Sequence, residues 1–150
     1  MRRTASPVIW VLAGITGAVA ALAVTWLGDW IGSLLEGTFQ ITLRAWELAA
    51  LQVSFVNTLA GAVAGVLGAL SKRWLRGLGI GAILHAIVFL IFVLTSDSFR
   101  AAPASVNAWV LSVGVIGGGV AGAIGGVFGQ VSVNKQRLSD DSTGTGKVLS

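Results

Sequence analysis

The chain has 150 residues, is 55% hydrophobic and 11% charged, and carries a formal net charge of +4. That balance excludes a solvated, disordered chain and leaves no length for a separate soluble domain. With no cysteine, disulfides, thiol catalysis, palmitoylation and prenylation are also excluded.

Four apolar stretches, at about 8–28, 50–71, 78–96 and 107–130, reach or approach the ~20 residues a helix needs to cross ~30 Å of hydrocarbon. The expected fold is all-α: a polytopic membrane domain over 1–131 with four transmembrane helices. In the first span, Met1-Arg2-Arg3, an apolar run and Ala21-Leu22-Ala23 also fit a cleavable signal peptide. Apolar character continuing through Trp26, Leu27, Trp30 and Ile31 to Leu35 favours a retained helix. In the long first connection, Phe39, Leu43, Trp46 and Ala50 recur at helical spacing. An amphipathic turn is expected there, resting on the membrane surface or extending the second span outward. Arg44 and Glu47 stand one helical turn apart, and a solvated ion pair of small worth is the expectation.

The basic residues set the orientation, because they concentrate in cytoplasmic connections. Arg2 and Arg3 precede the first span, Lys72, Arg73 and Arg76 fill the second connection, and Lys135 and Arg137 follow the last span. Arg44 and Arg100 fall in the other two connections, among Asp29, Glu36, Glu47 and Asp97. Both termini are therefore expected in the cytoplasm. Tryptophan prefers the headgroup level, and the same topology puts Trp10 and Trp74 at inner ends and Trp26, Trp30, Trp46 and Trp109 at outer ends. The expected partners are the lipid bilayer and itself or other membrane subunits. Nucleic acid is not expected, because the cationic residues flank spans where anionic headgroups supply the counter-charge. The Ala, Gly and Val content without cysteine suits a bacterial or archaeal inner membrane.

Glycine dominates two spans. Span four carries Gly114, Gly118, Gly122 and Gly126 in one row and Gly117, Ala121, Gly125 and Gly129 in its neighbour. Span two has Gly61, Gly65 and Ala69, and span one the weaker Ala13, Gly17, Ala21. Glycine costs a helix interior about 0.5–1 kcal/mol relative to alanine, so its repetition implies close backbone packing. These faces serve the bundle itself, association between subunits, or a moving helix in a conduit. The segments Gly61–Gly68 and Gly118–Gly125 share five of eight positions at an offset of 57. A duplicated two-helix hairpin and low complexity both explain that. Pro103 marks a break before span four.

His85, the only histidine, lies near the middle of span three on the row of Gly77 and Gly81. An ionisable group at that depth is a functional candidate, although a neutral histidine bonded to a carbonyl or hydroxyl is the plainer reading. Asn57 and Thr58, with Ser54, are the polar groups of span two, suited to cross-helix hydrogen bonds or a shallow outer vestibule. Asp29 and Asp97 belong at hydrated outer ends. No span supplies a second histidine or a carboxylate, so neither a metal nor a cofactor is expected, haem included. From about Val131 the chain turns polar, and residues 132–150 read as a disordered cytoplasmic tail. Gly144-Thr145-Gly146-Lys147 has the wrong spacing for a phosphate loop.

The run from Gly61 through Ser71-Lys72-Arg73-Trp74 to Gly77 and Gly81, with the closing Gly117–Gly129 segment, resembles uncharacterised small four-helix bacterial membrane proteins. The resemblance implies architecture and carries no activity. Small fluoride channels also have four helices, but the aromatic and threonine track of their third helix is missing here.

The function expected is that of a non-enzymatic integral membrane protein acting by helix–helix association, as a homo-oligomer or an accessory subunit. On that reading Gly118→Leu and Gly122→Leu disrupt the assembly. The alternative is a small channel, holin-like pore or transporter, with His85, Asn57 or a glycine face lining the path. A membrane-embedded enzyme needs more well-placed groups than one histidine.

Overall fold

In the computed structural model, which describes residues 7–34 and 43–144, every long element is helical. The helices are α1 (Pro7–Leu34), α2 (Leu43–Ser71), α3 (Trp74–Thr95), the short α4 (Asp97–Ala101) and α5 (Ala104–Gly144). Four are long and apolar enough to cross a membrane: Pro7–Leu34, Val53–Ser71, Trp74–Thr95 and Ala104–Lys135. They overrun the apolar stretches at most ends, because helical hydrogen bonding continues past the point where hydropathy falls.

The second helix begins at Leu43, so part of the first connection extends the second span, one of the two arrangements expected for it. Phe39 and Glu36 lie outside the described residues, as do the side chains of Arg44, Trp46, Glu47 and Ala50. The last helix runs on to Gly144, through a stretch whose composition reads as an unfolded tail. Propagating an existing helix needs no new nucleus, and Lys135, Gln136, Arg137 and Leu138 are good helix formers. Residues 145–150 lie outside the described part.

The bundle is inside-out relative to a water-soluble protein. Ala13, Ala64 and Ala121 are each 0% exposed, whereas Trp26 is 68% and Leu94 65% exposed. Glycine and alanine fill the interior while leucine, isoleucine and valine cover the outside. In water that distribution would forfeit the main driving force for folding. In hydrocarbon it costs nothing, and close backbone contact provides the cohesion.

The two glycine-rich helices, α2 and α5, pack side by side through the centre, with α1 and α3 flanking both. A Cβ placed on Gly68 would overlap the Gly122 carbonyl, and one on Gly125 would overlap the Gly65 carbonyl. The bond direction a side chain would take is thus occupied by an α-hydrogen aimed at a carbonyl oxygen, the geometry of a weak Cα–H···O bond. Those two contacts exchange under the sequence offset of 57, which carries Gly65 to Gly122 and Gly68 to Gly125. The flanking helices exchange in the same way in space, at an offset of 64 (Ala13 to Gly77, Gly17 to Gly81): Gly65 meets Ala13 and Gly17 of α1, and Gly122 meets Gly77 and Gly81 of α3. Likewise Gly61 meets Gly17 and Ala21, and Gly118 meets Gly81 and His85. The hairpins α1–α2 and α3–α5 are therefore arranged with pseudo-twofold symmetry about an axis between α2 and α5, as a duplicated hairpin requires.

The turn between α2 and α3 is tight. Lys72 adopts φ 55°, and its N–H donates to the Ala69 carbonyl at 3.3 Å. Ser71 Oγ donates back to Gly68 O at 2.7 Å and accepts from Arg73 N at 3.4 Å.

Candidate functional site

Both glycine rows of α5 are consumed within the chain. Gly118, Gly122 and Gly126 face Gly81, Gly77 and the Arg73–Trp74 backbone of α3. Gly125 and Gly129 face Gly65 and Ala69 of α2, while Gly117 stands 3.5 Å from Val24 and 3.6 Å from the Ala21 carbonyl of α1, measured from where its Cβ would be. Gly114 departs from the pattern. A Cβ there would meet only the Asn57 amide, at 3.7 and 3.9 Å.

The buried polar groups gather at this level. Thr25, Asn57 and His85 are 2%, 8% and 2% exposed. Thr25 Oγ1 donates to the Ala21 carbonyl at 2.9 Å and accepts from Asn57 Nδ2 at 3.2 Å. That pair ties α1 to α2 and fixes the amide orientation, leaving Oδ1 as the acceptor end. His85 Nδ1 lies 3.1 Å from the Gly81 carbonyl, one turn back on its own helix. A carbonyl only accepts, so Nδ1 carries the proton and Nε2 of the neutral ring presents a lone pair. The Asn57 backbone is a second hydrogen-bonding neighbour of the imidazole, at a geometry looser than the Gly81 contact, and Nε2 is buried.

Gly118 explains how the imidazole fits. A Cβ at that position would stand 2.5 Å from His85 Cγ, so bare backbone on α5 is a condition for a histidine on α3. Above the polar groups lies a small cavity bounded by Asn57, His85, Gly114, Phe89, Phe92 and Phe99. Phe99 belongs to α4 and is 3% exposed. Its ring meets Phe89 edge-on at 6.2 Å and Phe92 at 5.5 Å between centroids. Asn107 Nδ2 donates to the Phe99 carbonyl at 2.9 Å and so pins α4 in place. Asp97 and Arg100 form an exposed ion pair on the far side of that helix.

The sequence-predicted candidates divide. His85 and Asn57 come together, with Gly114 and Gly118 as their neighbours on α5. Thr58 does not join them: it is part-buried, and its hydroxyl donates to Ser54 O in its own helix at 2.7 Å. Thr25 takes that place and escapes the sequence reading, although it continues the row Ala13, Gly17, Ala21 by one further turn. Three side chains suitable for a metal do not converge anywhere among the described residues.

The polar site is one place where the two hairpins differ. Position 57 corresponds to 114 under the offset, and Asn57 faces Gly114. His85 occupies on α3 the place that Ala21 occupies on α1. The site can hold a proton on Nδ1 and accept hydrogen bonds, but it brings no nucleophile beside a base. No protein-family model, curated protein or solved structure matches the chain.

Proposed function

We propose that this is a non-enzymatic integral membrane protein that works by associating with another transmembrane helix, as a homo-oligomer or as an accessory subunit of a membrane complex. Its termini face the cytoplasm, and a bacterial or archaeal inner membrane is its setting. The observation that carries the reading is an apolar groove of about 560 Å³ between α1 and α2. Gly14, Ala18 and Ala62 contribute small residues to it, and Val11, Ile15 and Val66 larger ones. A Cβ on Gly17 or Gly65 would overlap the backbone of the facing helix, whereas one on Gly14 would meet Val66 at 3.3 Å and the Ala62 carbonyl at 3.7 Å. Small residues in a lipid-exposed groove suit close approach by a helix, and an acyl chain has no need of them. The orientation is supported by exposed Lys72, Arg73, Trp74 and Arg76 at one end and exposed Trp26 and Trp30 at the other.

The groove also changes the test. Gly118→Leu and Gly122→Leu would break the protomer, since those positions are spent inside it. Ala18→Leu and Ala62→Leu fill the groove instead. Native mass spectrometry of the protein extracted in mild detergent from its own host should show a complex that both variants lose while remaining folded. A monomer in the unsubstituted protein, or complexes unchanged in both variants, refutes the reading.

A second reading, a small channel or transporter, draws on the cavity beside His85. Toward the basic end, Gly65, Gly68, Gly77, Gly122 and Gly125 bring backbones together, so a path through one protomer would require α5 to move. Ion and solute flux in proteoliposomes, compared with His85→Ala, tests it.

A further inference from the structure

The α2–α3 turn concentrates positive charge that the rest of the molecule does not neutralise. Lys72, Arg73 and Arg76 are all exposed, and among the described residues no carboxylate pairs with any of them. The described ion pair, Asp97–Arg100, stands at the opposite end of α3. The backbone that carries the three cations is held firmly. Gly77 N donates to the Arg73 carbonyl at 2.9 Å, Ser71 Oγ donates to Gly68 O at 2.7 Å, and the Arg73–Trp74 backbone packs where Gly126 of α5 has no side chain. Apolar groups stand between the cations. Trp74 is 48% and Leu75 64% exposed, so one helical turn carries side chains suited to the headgroup level and to the hydrocarbon just inside it.

The pseudo-symmetry sets this cluster apart from the positive charge that orients any multi-pass protein. The offset of 64 that relates α1 to α3 carries Trp10 to Trp74, so an interfacial tryptophan is common to both hairpins. The same offset carries Val8 to Lys72, Ile9 to Arg73 and Leu12 to Arg76. At these positions the cations belong to the second hairpin alone. Two of the three are arginines, whose guanidinium forks match the paired oxygens of a phosphate. Orientation asks only for charge, which lysine supplies equally.

We propose that the α2–α3 turn binds the headgroup of one anionic phospholipid, its phosphodiester held by Arg73 and Arg76 with Lys72 beside it, and its acyl chains lying past Leu75 along the face of α3 that exposes Ile83. A soluble phosphate has no use for the exposed Trp74 and Leu75, whereas a lipid brings its phosphate to their level already anchored. The site requires a bilayer around the four helices but not association through the α1–α2 groove.

Native mass spectrometry of the full chain, released from nanodiscs holding equal phosphatidylglycerol and phosphatidylcholine with matched acyl chains, reads the retained lipid and the oligomeric mass separately. Both lipids contain the phosphodiester, and only the first has net charge. A basic residue near an anionic surface is worth about 1 kcal/mol, or about fivefold. One phosphatidylglycerol per chain should therefore be retained over phosphatidylcholine by on the order of tenfold or more. Arg73→Gln with Arg76→Gln should cut that preference to ~fivefold or less, and each single substitution should lower it by about fivefold, which keeps the test readable if the double variant does not fold. Lys135→Gln, which removes an exposed cation further along α5, should leave the preference unchanged. Glycerol phosphate added at millimolar concentration should not displace the lipid; displacement would identify a site for soluble anions and overturn the lipid assignment. Equal retention of the two lipids, a preference that survives loss of the arginines, or one that Lys135→Gln lowers as far, overturns the proposal.

Discussion

Replacing Gly122 by alanine adds one methyl group at the point where α2, α3 and α5 converge. The new Cβ would overlap the Gly77 carbonyl oxygen, stand 2.8 Å from the Gly77 carbonyl carbon and 3.2 Å from the Gly81 nitrogen. These neighbours are backbone on a packed helix, so no rotamer change relieves the overlap; α3 and α5 must separate. Inserting a methyl into a filled interior costs about 1–3 kcal/mol, sometimes more. Immobile neighbours place this case at the upper end, and alanine's better helix propensity returns no more than ~1 kcal/mol. A net loss of about 2 kcal/mol follows, or roughly 4–8 °C in Tm for a chain of this size. Two controls add the same methyl elsewhere. A Cβ on Gly79 meets nothing within 4 Å, and one on Gly119 meets Leu78 Cγ at an ordinary 3.6 Å. Gly79→Ala and Gly119→Ala should therefore match or exceed the parent protein in thermal unfolding in mild detergent. If Gly122→Ala unfolds within ~2 °C of both controls, backbone contact at the three-helix junction is not what holds this bundle together.

Other substitutions probe single links in the same chain of reasoning. Lys72→Gly removes a side chain from a left-handed backbone position and should stabilise the fold by about 1 kcal/mol, read by the same thermal assay. Thr25→Val strands the Asn57 amide proton and should cost about 1–3 kcal/mol, whereas Thr25→Val with Asn57→Leu should recover most of that loss; a double variant as unstable as the sum of its parts contradicts the assigned bond. Phe99→Ala should leave α1, α2 and the inner half intact but admit solvent to the cavity, seen as faster hydrogen exchange at Val110 and Gly114 than at Gly122.

The sequence made the spans legible because hydropathy reports the solvent directly, and it made the packing faces legible because glycine at four-residue spacing is costly unless a backbone opposes it. Which face meets which helix was not legible. The row Gly118, Gly122, Gly126 looks the same whether its partner is α3 or a second protein, and only the fold shows that α3 takes it. His85 and Asn57 stood out as polar residues in apolar runs, but their convergence depends on helix rotation, which spacing alone does not set. Thr25 hid because threonine is common and cheap in membrane helices, where its hydroxyl returns to its own backbone. The end of α5 was misplaced because a disfavoured composition can still continue a helix that packing has already nucleated.

The twofold relation between the hairpins constrains how a site like this one can arise. In a dimer of identical hairpins, whatever occupied position 57 would confront a copy of itself across the axis: two amides would crowd each other, and two glycines would leave an apolar hole. Joining the hairpins into one chain releases the two walls to diverge, so that Asn57 faces Gly114 and His85 stands where its counterpart is Ala21. Two unlike walls facing each other next to an axis of pseudo-symmetry are thus something one continuous chain can encode and a dimer of identical hairpins cannot.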